Sequence, residues 1–405
     1  MTAPAAAYRV FDPFPIPGHQ GLAPTHELPW ERIARTLVQR ILRLGRHERV
    51  ILSADPYFGG AALDAVRVEI QRARAIELAT VLHWTPQLAR LRAPHGRYAD
   101  PEDDAAETAA MRGLFAAADV FILLMNDRRG GRTVATSQSD QVVDGWRTGR
   151  SVHLHWFHDP AIPDPAHPVN RALDLVNARA VTDLDYDRLR IDMQALAARM
   201  RGARVRVFDA AGTDLSFTAG AHFHLNYGDA SRERALAMAS GRDREEEVPP
   251  GSLRNIPEPD SADGVVVFPR ARDGESPALG RGMDMRAFAD AGLRFVFRRG
   301  RVVALETGGD QRELERLWAR ETGDRDRLGE LVLGCNPLLN PVPGSTFLPH
   351  YGFGAGVVRL ILGDNRLSGG SFASSFHRWL MWGDASIEVD GRLIVDRGRL
   401  QVPAP

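Results

Sequence analysis

The apolar positions change period once along the chain, near residue 180. Before that point Trp30, Ile33, Ala34, Leu37, Val38, Ile41 and Leu42 recur at helical spacing, and Gly45 follows as a stop. Arg49-Val50-Ile51-Leu52 is a short apolar run, followed by Gly59-Gly60 and an amphipathic stretch to Arg74. Glu77 to His83 predicts a strand and Asp104 to Ala117 a helix. Val120 to Met125 and Val152 to Phe157 predict two more strands. Apolar runs separated by helices of this length imply a parallel sheet with helices on both faces. Pro160 to Pro168 holds four prolines in nine residues and reads as a linker.

Tyr186, Leu189, Met193, Leu196 and Met200 then form one helical stripe. Beyond it the pattern shortens into strands at Val205–Phe208, Leu215–Phe217, Val265–Phe268, Leu293–Phe297, Val302–Leu305, Val357–Leu362, Ser386–Val389 and Leu393–Val395. Arg299-Gly300 and Asp390-Gly391 sit where tight hairpins need them. One helix interrupts, around Gln311 to Glu321, and the charged, proline-containing stretch Gly241 to Asp263 predicts a long exposed loop. The expected class is therefore α/β. A parallel-sheet αβ domain would cover residues 1–180 and a β-rich α+β domain residues 181–405.

Composition narrows the function. The 405 residues are 44% hydrophobic and 25% charged, enough for two cores. A net charge of −1 supplies no field for nucleic acid or an anionic membrane. No apolar run reaches the ~18 residues of a membrane span. Met1 to Pro17 lacks a basic-then-apolar secretory pattern, so a cytoplasmic protein is expected. The single cysteine, Cys335, excludes internal disulfides and multi-cysteine metal sites. All 51 basic residues are Arg, which excludes a lysine Schiff base and a P-loop lysine.

Dinucleotide, P-loop, GxSxG and HExxH signatures are missing, and Gly130-Gly131 and Gly369-Gly370 are isolated pairs. The first domain thus looks like a nucleotide-binding sheet without its phosphate-binding turn. His153 and His155 would share one strand face, with His158 beyond them, and His222 and His224 repeat that spacing with Glu233 downstream. Either pair has bidentate metal-ligand spacing, but His153 and His155 read first as polar residues at a strand end, and His222 and His224 lack the glycine and proline punctuation of a cupin metal motif.

The last eighty residues carry an ordered set of short motifs. Gly329-Glu330-Leu331-Val332-Leu333-Gly334-Cys335-Asn336-Pro337 comes first, then Gly354 to Asn365, then Phe376-His377-Arg378-Trp379, and Ser386 to Gly391. Gly212 to Phe217, Asn255-Ile256-Pro257 and Gly300 to Glu306 precede them. Their order resembles the C-terminal domain of the thermophilic aminopeptidases (the aminopeptidase T/S family) and their relatives, the 2,5-dihydroxypyridine dioxygenases. The resemblance implies an aminopeptidase-T-like fold, a homodimer, and a cleft holding two divalent metals or one Fe(II).

Carried over by position, the family's ligands match Glu330 and His377. Trp379 stands where the family has Asp, and Arg359 where it has His. Arg cannot ligate at neutral pH. A guanidinium about 4 Å from a cation repels it by roughly 4 kcal/mol at an effective dielectric of 20. Arg359 is instead expected to pair with Glu330. One reading is then a cofactor-free peptide-binding protein, non-hydrolytic or metal-independent, with Arg359, Trp379, His377, Glu330 and His350 against its ligand. Trp379 reads equally as core packing that fills a lost metal site. A scaffold depleted of ligands in this way resembles the peptide-binding proteins of crocagin-type natural-product pathways, which implies a precursor peptide as partner. The alternative is a mononuclear metal-dependent aminopeptidase or ring-cleaving dioxygenase. It would hold Zn or Fe through Glu330, His377, His222 and His224, with His350 as a further possible donor.

Overall fold

The computed structural model describes residues 28–54, 60–82, 101–127, 149–159, 161–162, 164, 166–238, 242–268, 282–289, 291–345 and 348–401. Gly130-Gly131 and part of the proline-rich stretch lie outside them. The strands in chain order are β1 (Arg49–Ala54), β2 (Ile76–Leu82), β3 (Val120–Asp127), β4 (Arg150–Phe157), β5 (Arg204–Phe208), β6 (Asp214–Asn226), β7 (Glu245–Val248), β8 (Ser252–Pro257) and β9 (Asp263–Val267). They continue with β10 (Arg294–Arg298), β11 (Arg301–Glu306), β12 (Leu328–Gly334), β13 (Val358–Gly363), β14 (His377–Trp382), β15 (Ser386–Val389), β16 (Arg392–Asp396) and β17 (Arg399–Leu400).

The apolar runs of the first half form a parallel sheet in the order β2-β1-β3-β4-β7. Every residue of β4 is buried, as a strand covered on both faces requires. The helix expected from Trp30 is α-helical to Arg35 and continues as a π-helical segment over Thr36–Ile41, burying the expected stripe. Trp30 packs on Trp156 of β4 at 5.0 Å between ring centroids.

The segment 241–263 corrects the sequence reading. Instead of an exposed loop it contains β7, β8 and the start of β9, and β7 returns to pair in parallel with β4. The acidic residues of β7 are satisfied inside the protein. Glu246 is fully buried against Arg234, and Glu245 lies 3.3 Å from His153. Charge marks exposure only where no partner is folded against it.

The second half builds a twelve-stranded sheet, β14-β13-β12-β8-β6-β5-β15-β16-β17, with β9, β10 and β11 branching from β6. Both expected hairpins form. Arg299 and Gly300 have φ of 47° and 74°, and Asp390 and Gly391 have the same pair, the double positive φ of a type I′ turn. The core runs without a break from Val50 of β1 to Val395 of β16. Among the described residues no helix is long and apolar enough to cross a membrane.

The sequence reading lacks the short helices Arg232–Ala237 and Arg286–Ala289 and one long helix, Pro168–Thr182. Its buried face carries Asn170, Asp174 and Asn177 beside Leu173 and Val181, which hides the apolar period. Two of these polar groups have specific partners. Asn170 donates to the carbonyls of Ile162 and Asp164, and Asp174 accepts from the Trp156 indole and pairs with His158 at 2.9 Å.

Candidate functional site

Strand register gathers the candidates before any side chain is considered. Across the large sheet Met381, Arg359, Val332, Arg254 and His224 stand opposite one another on β14, β13, β12, β8 and β6. Trp379, Ile361 and Glu330 form the neighbouring row. Alternation puts both rows on one face of the sheet, together with His377 and His222. That face packs toward the first sheet: Val332, Ile361 and Trp379 cluster with Phe157 at the end of β4 and Ala180 of the helix Pro168–Thr182.

The partner of Glu330 is not the one expected. Its carboxylate accepts from Arg254 Nε at 2.7 Å and Nη2 at 3.1 Å, and from Ser368 at 3.0 Å. Burial would raise this carboxyl, but the guanidinium of Arg254, with Arg359 and Ser368 behind it, holds it below the ordinary carboxylate range. Arg254 was invisible in the sequence because it is one Arg among 51, although it directly precedes the Asn255-Ile256-Pro257 motif.

Arg359 is thereby left for another task. It is 1% exposed, its Nη1 donates to the Tyr351 carbonyl at 3.0 Å, and its guanidinium carbon lies 3.7 Å from the Trp379 ring centroid. That is a close cation–π stack. Burial, then the Arg254 charge, push the Arg359 pKa down to about 9. Trp379 in turn donates its indole N–H to His377 Nε2 at 2.8 Å, and His377 Nδ1 sits 2.7 Å from the Asp364 carbonyl.

This arrangement does not fit a bound Zn or Fe. A histidine ligand needs one free lone pair. His377 uses its Nδ1–H on a carbonyl and its Nε2 lone pair on the indole. Glu330 is closed by a bidentate guanidinium, and His222 pairs with Asp243 at 3.3 Å. The set Glu330, His377, His222 and His224 therefore shares a face without making a donor cluster. Among the described residues no three His, Cys, Asp or Glu side chains gather as a metal group.

The first sheet contributes the other wall. Tyr351 O–H lies 2.9 Å from His155 Nδ1, so a polar contact crosses the seam between the sheets. His350 and Tyr351 are consecutive non-glycine residues at positive φ, 42° and 55°. Each such residue costs on the order of 1–3 kcal/mol and persists only when its surroundings hold it. Here aromatic packing holds both. Tyr351 meets Phe157 at 4.5 Å and Trp379 at 5.5 Å, and His350 meets Phe353 at 5.0 Å. His350 is fully buried, and burial, with His155 and Arg359 nearby and Glu247 opposing, pushes its imidazole well below the usual histidine range. The strand histidines are separated in function: His153 faces Glu245, His155 the tyrosine, and His158 the aspartate of the next helix.

The motif Gly334-Cys335-Asn336-Pro337 is structural. Asn336 donates to the Pro250 carbonyl at 2.7 Å and accepts from the Leu338 N–H at 2.9 Å. Gly251, at φ 138°, lets this turn approach, since a Cβ there would lie 2.5 Å from the Asn336 Cβ. The turn fixes the end of the strand that carries Glu330.

No family model matches this sequence, and no curated protein matches it. Solved structures do. The structure of 2,5-dihydroxypyridine dioxygenase from Pseudomonas putida KT2440 is 15% identical, with a TM-score of 0.60 over 92% of this chain and 97% of that one. Wild-type AmpT from Thermus thermophilus is 16% identical, with a TM-score of 0.56 over 92% of this chain and 99% of that one. At these identities it is the fold that is shared, over nearly the full length of all three chains.

Proposed function

We propose that this chain binds a peptide on the seam-facing side of the large sheet and does not hydrolyse it. The observation that carries this reading is the Arg359–Trp379 stack, at two positions where the resemblance implies metal ligands. A guanidinium on an indole, beside a carboxylate already closed by Arg254, offers recognition rather than an activated water. Trp379 and His377 are only partly buried, so this corner of the face is reachable. Within this reading the ligand is a precursor peptide of a natural-product pathway, held for modification by other proteins.

The test measures binding and turnover together. The purified chain is mixed with dye-labelled peptides, with and without added Zn(II) or Fe(II), and followed by anisotropy and mass spectrometry. Retention of peptide with unchanged termini is expected under all three conditions. Metal-stimulated cleavage, or ring opening of 2,5-dihydroxypyridine, would overturn the reading.

A further inference from the structure

Several buried groups find no hydrogen-bond partner among the described residues, and two of them matter for the seam. They are the imidazole of His350, at both ring nitrogens, and the Nε–H of Arg359. These residues are 0% and 1% exposed, where native proteins almost always satisfy such groups. They belong to one small region. Arg359 Nη1 holds the carbonyl of Tyr351, the residue next to His350. The Phe353 ring lies 5.0 Å from the imidazole and 5.6 Å from the guanidinium carbon.

We propose that His350 and Arg359 form a subsite for a carboxylate of the bound peptide, each supplying one N–H. The inference rests on the peptide-binding reading and deepens it by naming the chemical group that is held. Three features select a carboxylate. The guanidinium is charged at neutral pH, and Glu330, in the neighbouring row of the sheet, already takes two bonds from Arg254. Arg359 Nη1 donates to a carbonyl, and its buried Nε–H, without a partner among the described residues, can donate a directed bond to a carboxylate oxygen. The two consecutive left-handed residues fix His350 in place, as a preorganised donor requires. The other ionisable groups acting on His350 are His155 on β4 and Glu247 on β7. Of these, Glu247 opposes Arg359 and His155 acts with it, and a bound carboxylate adds a further negative charge beside the guanidinium. The carboxylate has two sources in a peptide, its C-terminus or an acidic side chain.

Dye-labelled, N-acetylated hexapeptide pools free of Asp and Glu separate these sources by anisotropy. One pool ends in a free acid, one in an amide, and a third is an amide pool with a single Glu. At least one carboxylate pool is expected to bind about ten-fold tighter than the plain amide pool, the scale of one charge-assisted hydrogen bond. His350→Gln keeps a donor and should keep most of that preference. His350→Leu should lower the carboxylate pools to the plain amide pool's level and leave that pool unchanged. Equal binding of all three pools overturns the subsite while leaving the peptide reading intact, as does a preference that survives His350→Leu. Binding of no pool overturns both. Should His350→Leu fail to fold, the comparison of pools on the unaltered chain still decides.

Discussion

Arg359 carries a charge that the fold buries without neutralising it. With Glu330 closed by Arg254, Arg359 is a buried charge without a carboxylate on its own fork. Its pKa falls from the ordinary guanidinium range to about 9, so the unfolded chain holds this proton more tightly than the folded one. The charge therefore weighs against folding at every pH below about 9, and the penalty is relieved only as pH rises from there toward the ordinary guanidinium value. Arg359→Met fills similar volume without the charge and should stabilise the protein by about 1–4 kcal/mol in urea unfolding at pH 7. The same change should abolish the preference for carboxylate peptides. A loss of stability instead would mean that stacking on Trp379 and the bond to Tyr351 outweigh desolvation. On the peptide-binding proposal, such a site would trade stability for recognition. The sequence exposed Arg359 and Trp379 because each stands where a ligand was expected. It concealed Arg254 and Tyr351, since nothing local distinguishes one Arg or Tyr from another. Their roles come from cross-strand register and from a turn on the far side of the seam.

At the scale of elements, periodicity read the regular pieces and failed where polar groups are buried in pairs. β15 was placed to the residue, and β5, β10, β11 and β16 to within one. The helix Pro168–Thr182 and β7 were missed because Asn170, Asp174, Glu245 and Glu246 point inward at specific partners. Arg150 shows how such a group organises its surroundings. From the start of β4 it gives Glu48 two bonds of 2.6 and 2.8 Å and reaches the carbonyls of Ala230 and Leu42. Burial opposes ionisation of Glu48, yet Arg150 and the Gly45 N–H hold its pKa below 4.5. A lowered carboxyl pKa contributes stability above pH 4.5, which is lost as pH falls through the folded value. Arg150→Met leaves that carboxylate buried and unpaired, and should cost about 3–5 kcal/mol at pH 7. The variant should also lose this part of the acid limb, since protonating an unpaired Glu48 helps rather than hurts. Urea titrations at pH 7 and pH 4 measure both effects. An unchanged pH dependence in the variant would count against the assignment.

For the whole molecule, the change of pattern near residue 180 separates two kinds of sheet, but the packing joins them. β7 lies beyond that change in sequence and supplies the outer strand beside β4. Arg150 on β4 draws the Ala230 carbonyl against it from the second half. Tyr351 spans the seam to His155, and Ser345 donates to Asp159 at 3.0 Å. One large apolar cluster runs through both sheets. Thermal unfolding of the whole chain should therefore be one transition, with tryptophan fluorescence and far-ultraviolet circular dichroism coinciding. A chain ending at residue 180 tests the coupling more severely. Without β7, the open edge of β4 presents a strand whose every residue is buried in the intact protein, the kind of edge that recruits other chains. Arg150 would lose one of its carbonyls, and His153 the carboxylate of Glu245. The fragment should show no cooperative melt and should elute as aggregate from a sizing column. A monomeric fragment melting sharply near the midpoint of the full chain would overturn the coupling. The first sheet would then be an independent domain to which β7 adds only a border.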